Sequence, residues 1–599
     1  MHDLVYDLAR SIMDEGMIVY NPNKMTSVAD QQYYRYALLT NCSEPLKIST
    51  ILPAKLRALL FNDCSKLDLR GSAFTFSKCL RVLDLSESSI SKLPDSLGNL
   101  KQLRFLIAPG LKNPKFPVSI TRITKLQYLD IHGSSQVTTI LESIGKLDCL
   151  MHLDLSGCIE IVKMPESLGN LKKLLHLELS SCSRLERIPE SVYGLTKLQY
   201  LNLSGCSKLQ RLPQDLCSLV ELQYFSISGC SKIPGLPVGF GKLTNLFHLD
   251  LSRCSFVMLE EFGGFTELKY LNLSGSLSNN RQDERAFFQL SRLTLSNMER
   301  LEDWSTTNSS NIERLPQDLC ILPKLQYLNL SCCSNLESLP QDLGELTELQ
   351  NLCLSHSCKL NVLPESLGKL TNLVHLDLSQ RPFVMVEALS GLTKLKYLNL
   401  SGSLHTNDRQ AEKSISYIST LTNLEHLDLS WNFFGYLPES LGNLKRLRVL
   451  DISGCKHLSS IPVSISSIDS LEMLSLIECS EGLKNNNFLF GPPPKCSQLP
   501  LFNVLPNSGD SGSNLLRLKG INPSELEILH LENVRIPGET NEIEYGGEEM
   551  KAEEVIKTRN HMHNKENLSK LRLQWHMGSQ RTLNDKDVMA ELVPPSGLC

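Results

Sequence analysis

No stretch of this chain approaches the ~18 consecutive apolar residues of a membrane-spanning helix, so no span is expected. Basic residues are not in excess. Lys and Arg number 60 against 65 Asp and Glu, giving a formal net charge of −5 and a pI near 6.3, which disfavours nucleic acid as a partner on electrostatic grounds. Cys-x-x-Cys, the usual seed of a zinc site or a dithiol centre, is missing although the sequence holds 19 cysteines. A Gly-x-x-x-x-Gly-Lys-Ser/Thr phosphate loop is also missing. Gly145-Lys146, Gly241-Lys242 and Gly368-Lys369 lack both the earlier glycine and the following hydroxyl. His-Glu-x-x-His, Gly-x-Ser-x-Gly and the kinase set do not occur. The expectation is therefore a chain with no catalytic residues, no metal ligands and no cofactor of its own. Its first residues, MHDLVYDLARSIMDEG, carry acids where a signal peptide is basic.

What the chain does have is a period. Between Leu80 and Leu476 a Leu-x-x-Leu-x-Leu pattern recurs sixteen times, mostly 22 to 24 residues apart, which is the signature of leucine-rich repeats. In the unit beginning at Leu174, the leucines Leu174, Leu177 and Leu179 alternate with His176, Glu178 and Ser180, as in a short strand with one buried face. Each unit then crosses over through a tail such as RLERIPESVYGL (184–195). A proline recurs there (Pro94, Pro165, Pro189, Pro213, Pro364, Pro438), suiting a turn or the first turn of a short helix. The expected fold class is α/β: a leucine-rich-repeat solenoid, with a curved parallel β-sheet on the concave face and short helices, 3-10 turns and loops on the convex face.

Eight cysteines, Cys158, Cys182, Cys206, Cys230, Cys254, Cys333, Cys455 and Cys479, each fall eight residues after the first leucine of a unit. Leucine-rich repeats place Asn or Cys there, so these read as structural thiols in a reducing compartment. The chain divides into a short amphipathic helix (1–20), an irregular lead-in (21–79), a first block of repeats (80–277), an irregular polar insertion (278–313), a second block (314–484), a loop rich in Pro, Gly, Ser and Asn (485–513), and an irregular distal repeat region (514–599) that stops as though truncated. Arg187 to Leu277 aligns without a gap on Arg314 to Leu404, an internal duplication with a shift of 127 residues.

Outward strand positions form columns on the concave face. One carries rings: Tyr128, His152, His176, Tyr200, Tyr224, His248, Tyr270, Tyr327, His375, Tyr397 and His426. The next is mostly acidic or amide: Asp84, Asp130, Asp154, Glu178, Asn202, Asp250, Asn272, Asn329, Asp377, Asn399, Asp428 and Asp451. The third is mostly serine. Rigid amphipathic rings beside carboxylates suit contact with a protein partner, and rings on adjacent strands also stack on one another. The histidines are mostly separated by tyrosines, which argues against a pH sensor, and the isolated pair His561 and His563 reads as solvated. The Asn-x-Ser sequons at Asn202, Asn272, Asn329 and Asn399 all fall within strands.

The opening Met1-His2-Asp3 with LVYDLARSI resembles the MHD motif that closes the nucleotide-binding module of plant NLR disease-resistance proteins. YYRYALLT (33–40), KLRALLF (55–61), the stretch 76–106 and the distal SELEILHLENV (524–534) resemble later landmarks of the same family in order. The resemblance implies an intracellular immune-receptor repeat domain, cytoplasmic or nucleocytoplasmic, that recognises a pathogen effector or a guarded host protein. It also implies that the domain restrains the nucleotide-binding module by intramolecular packing. It assigns His2, with Asp3 beside it, to ADP contact, so ADP or ATP is expected only where the upstream phosphate loop is present. Two alternatives remain: an extracellular repeat ectodomain, disfavoured by tails reading Leu-Pro-x-Ser-Leu-Gly, and an intracellular signalling scaffold.

Overall fold

The computed structural model describes residues 35–40, 55–64, 77–88, 90–255, 264–276, 297–310, 312–381, 386–404 and 408–476, together with the strands Met17–Tyr20, Leu501–Asn503, Glu525–Leu529 and Lys570–Leu573 and a few single residues. His2, Asp3, His561 and His563 lie outside the described residues. The chain forms two compact units, Met1–Asn311 and Ile312–Cys599.

In the first unit every strand from Met17–Tyr20 to Asp303–Ser305 pairs in parallel with the next in sequence. Most are three residues long, and their registers align the central leucines, so that Leu129, Leu153, Leu177 and Leu201 stack on one another. Each is fully buried. One repeat cannot enclose its own leucines, and burial of each contributes roughly 1.5–3 kcal/mol only because the neighbouring repeat covers it. The second unit repeats the arrangement from Tyr327–Asn329 to Met473–Ser475. Its distal strands Leu501–Asn503, Glu525–Leu529 and Lys570–Leu573 make a separate parallel sheet.

The return path is a single 3-10 turn, as at Glu166–Asn170 after Pro165 and Glu439–Asn443 after Pro438. Proline stands at the cap in extended conformation, where its missing N–H costs nothing. Successive turns pack so closely that a Cβ on Gly169 would lie 2.1 Å from the Ser191 carbonyl oxygen, which explains glycine there. No helix among the described residues is long and apolar enough to cross a membrane.

Four stretches differ from the sequence expectation. Within 278–313, Asp303–Ser305 is a strand paired with Tyr270–Asn272, and its Trp304 takes the place of the central leucine, 0% exposed. A tryptophan in place of leucine hid this repeat. The polar run after Leu404 contains an α-helix, Asp408–Ile418, that buries Ile415 and Ile418. The region read as a loop, 485–513, contains the strand Leu501–Asn503, and the segment read as a helix, 1–20, ends in the strand Met17–Tyr20.

Candidate functional site

Parallel pairing in exact register puts every outward ring of the first unit over its neighbour. From Tyr128 through His152, His176, Tyr200, Tyr224 and His248 to Tyr270, consecutive ring centroids lie 3.8–4.2 Å apart with planes within 22°. Phe105 extends the ribbon at 5.9 Å. The rings draw closer than the ~4.8 Å strand spacing, as flat faces excluding water do. In the second unit Asn351 pairs with both Tyr327 and His375, so the stack runs only from His375 through Tyr397 to His426.

Stacking desolvates the polar edges. Burial pulls the pKa of His152 and His248 down to about 4 and that of His176 down to about 3. It pushes Tyr128 and Tyr200 well above the ordinary tyrosine range, with nearby carboxylates adding to the effect. His152 is 8% exposed, and neither of its ring nitrogens has a hydrogen-bond partner among the described residues.

The acidic and amide column has a structural duty that the sequence did not reveal. One side-chain oxygen of each member accepts the backbone N–H two residues on, closing a turn at the strand exit: Asp154 to Ser156 at 2.8 Å, Glu178 to Ser180 at 2.9 Å, Asn202 to Ser204 at 2.9 Å, Asp250 to Ser252 at 2.9 Å. Asp377 and Asp428 do the same in the second unit. Asp and Asn are interchangeable in this bond, which explains their mixture down the column. The second carboxylate oxygen carries the surface charge. Asp130, one repeat before Asp154, makes the same turn. It is 3% exposed and accepts from the N–H of His132 at 2.9 Å and from His132 Nδ1 at 2.8 Å, the ring in its Nδ1–H form.

The third column pairs serines across strands, Ser228 with Ser252 at 2.7 Å and Ser274 with Ser305 at 2.9 Å.

Behind the strands lies the thiol ladder. Cys182, Cys206, Cys230 and Cys254 each donate Sγ–H to a leucine or isoleucine carbonyl 27 residues earlier at 3.1–3.2 Å, and Cys158 does so at 3.6 Å. Cys455 and Cys479 repeat the bond at 3.3 and 3.1 Å, whereas the Cys333 thiol points to the Ser331 carbonyl, 3.9 Å away. Where the ladder lacks cysteine, Ser276, Ser357, Ser403 and Asn432 reach the equivalent carbonyls. Burial pushes the thiols of Cys158, Cys182, Cys230 and Cys455 up to about 12, so they are inert. Arg381 is the exception to the ladder. It aligns by the internal duplication with Cys254, is 1% exposed, and donates Nη2–H to the Leu360 carbonyl. Its Nε and Nη1 have no partner among the described residues.

One short strand per repeat, a 3-10 return and a ladder of buried polar groups define a leucine-rich-repeat protein. A model described as "Leucine-rich repeat region" matches residues 153–316 and 316–432, and one described as "Leucine Rich Repeat" matches 79–100, 423–444 and 446–468. A leucine-rich-repeat protein of Leptospira interrogans superposes with a TM-score of 0.52 at 24% identity, covering 72% of this chain and 99% of that one, a likeness of fold. By sequence the chain is related to plant disease-resistance proteins. It is 33% identical over 112 residues to Disease resistance protein RPS4B of Arabidopsis thaliana, 16% of this chain and 10% of that protein. It is also 39% identical over 79 residues to Receptor-like protein 50 of the same plant, 13% of this chain and 8% of that protein. The chain thus spans about a tenth of the length of the curated relatives it matches.

Proposed function

We propose that this chain is the non-enzymatic recognition surface of a plant immune receptor working inside the cell, where it engages a pathogen effector or a guarded host protein. The observation that carries the reading is the stacked ribbon from Tyr128 to Tyr270 with the carboxylates of Asp154, Glu178 and Asp250 beside it. Rings locked in a stack lose little side-chain entropy when a partner covers them, and the negative charge of the adjoining carboxylates selects for basic groups. The kinship with disease-resistance proteins supports the immune role. The buried thiols of Cys182, Cys206, Cys230 and Cys254, each held by a backbone carbonyl, support a reducing compartment. By the same kinship, the repeats restrain a nucleotide-binding module, which would supply the ADP or ATP contacts.

The match to a receptor-like protein favours a second reading, an extracellular ectodomain. The two readings part at the sequons. Asn202 and Asn272 each cap a strand exit through the side-chain amide, so a glycan on either would require that turn to open. Glycosylated protein recovered from the apoplast would establish the extracellular reading. Unglycosylated protein in the cytosolic fraction would establish the intracellular one. The recognition surface itself is tested by proximity labelling in pathogen-challenged leaf, comparing wild type with the triple reversal D154K/E178K/D250K. Loss of labelled partners with an unchanged circular dichroism spectrum is expected. An identical set of partners would remove this part of the face from the reading.

A further inference from the structure

The strand Tyr128–Asp130 and its neighbour His152–Asp154 place two aspartates directly opposite each other, Asp130 against Asp154. Like charges so paired are destabilising, and no lysine or arginine among the described residues forms an ion pair with either. Here the third column offers the imidazole of His132, where the following repeats carry Ser156, Ser180 and Ser204. Ligand atoms from Asp130, His132 and Asp154 all lie within 4.8 Å of one another. His152, on the strand of Asp154, is more than nine-tenths buried, and neither ring nitrogen has a hydrogen-bond partner among the described residues.

We propose that Asp130, His132 and Asp154 bind a divalent transition-metal ion of the zinc type, through Nδ1 of His132 and one carboxylate oxygen from each aspartate. Mixed nitrogen and oxygen donors fit zinc or cobalt and not calcium, which takes six to eight oxygens. The ion replaces the His132 Nδ1–H that now bridges to Asp130, so the ring shifts its proton to Nε2. It also neutralises the carboxylate pair. Three protein ligands leave one tetrahedral position open on the outward face of the sheet, where water or a side chain of a docked protein completes the shell. The site goes beyond the partner-recognition reading and stands whether or not that reading holds.

The test is titration of the purified, chelator-stripped full chain with Co²⁺, followed by displacement with Zn²⁺. Visible d–d bands saturating at one equivalent, without thiolate-to-cobalt charge transfer, are expected. The variants H132S and D154N use residues this chain itself places in those columns, so the strand-exit turns persist and circular dichroism is unchanged. Each should weaken Co²⁺ binding by at least about tenfold. Absence of d–d bands, spectra dominated by thiolate charge transfer, or full binding by H132S would overturn the assignment. So would loss of binding in H561A/H563A but not in H132S.

Discussion

The hydroxyl of Tyr200 donates to Glu178 Oε2 at 3.0 Å, and the same oxygen accepts from Asn202 Nδ2 at 3.1 Å. The ring column and the acidic column are therefore one network here. Y200F keeps the stack with His176 and Tyr224 and removes one donor of three to this carboxylate. The expected cost is ~1 kcal/mol, seen as about fivefold faster amide exchange in the strand Tyr200–Asn202. Unchanged exchange would mean that the hydroxyl bond contributes nothing to the strand.

The thiol ladder makes a graded prediction. Serine already fills this position at Ser276 and Ser403 and makes the same bond. C206S should stay within ~1 kcal/mol of wild type, whereas C206A leaves the Leu179 carbonyl without its donor beside a small void and should lose ~1–3 kcal/mol. The measurement is urea denaturation, and equal stability of the two variants would count against the hydrogen bond.

Arg381 sits where its duplicated counterpart is Cys254, and burial lowers its guanidinium pKa to about 10. A buried cation with two guanidinium nitrogens lacking a partner among the described residues costs more than its one carbonyl bond returns. R381C should raise the stability of the second unit by ~1–3 kcal/mol, read as a higher melting temperature. A fall in melting temperature would show that the charge has a partner the carbonyl bond does not account for.

The ring column also sets a pH dependence. Burial between Tyr224 and Tyr270 holds His248 at a pKa of about 4 against an ordinary 6.5. Below about pH 6.5 the unfolded chain takes up a proton that the folded chain refuses, so stability falls as pH drops from 6.5 toward 4. Asp303, raised to about 6 by burial, works in the opposite sense: the folded chain holds its proton between 3.8 and 6 and gains stability as pH falls. H248Y, using the ring found at Tyr224 and Tyr270, removes only the first contribution. Its melting temperature should fall less than that of wild type between about pH 7 and about pH 4.5. Equal falls would show that His248 titrates normally.

The parts of the fold that repeat locally were legible in sequence. The strands that carry Leu153, Leu177 and Leu201, the prolines before each 3-10 turn and the ladder position of Cys206 follow from a period of about two dozen residues and from alternation of two. Trp304 was missed because a strand of Asp-Trp-Ser matches the pattern only when its neighbour Tyr270–Asn272 supplies the pairing. The turn-capping duty of Asp154 and Asp428 was hidden because the composition of the column suits a charged surface equally well.

Sequence by itself determined that these leucines, cysteines and rings would line up, because strand periodicity and repeat length are properties of the local chain. Only the tertiary structure decided which side chains meet. The ribbon runs unbroken from Tyr128 to Tyr270, the ring column of the second unit is broken at Asn351, and Asp154 reaches Asp130 and His132 although more than twenty residues of chain separate them. Both outcomes depend on register between strands, and the pKa values of His152 and His248 depend on the rings that shut out water; neither is encoded in any single repeat.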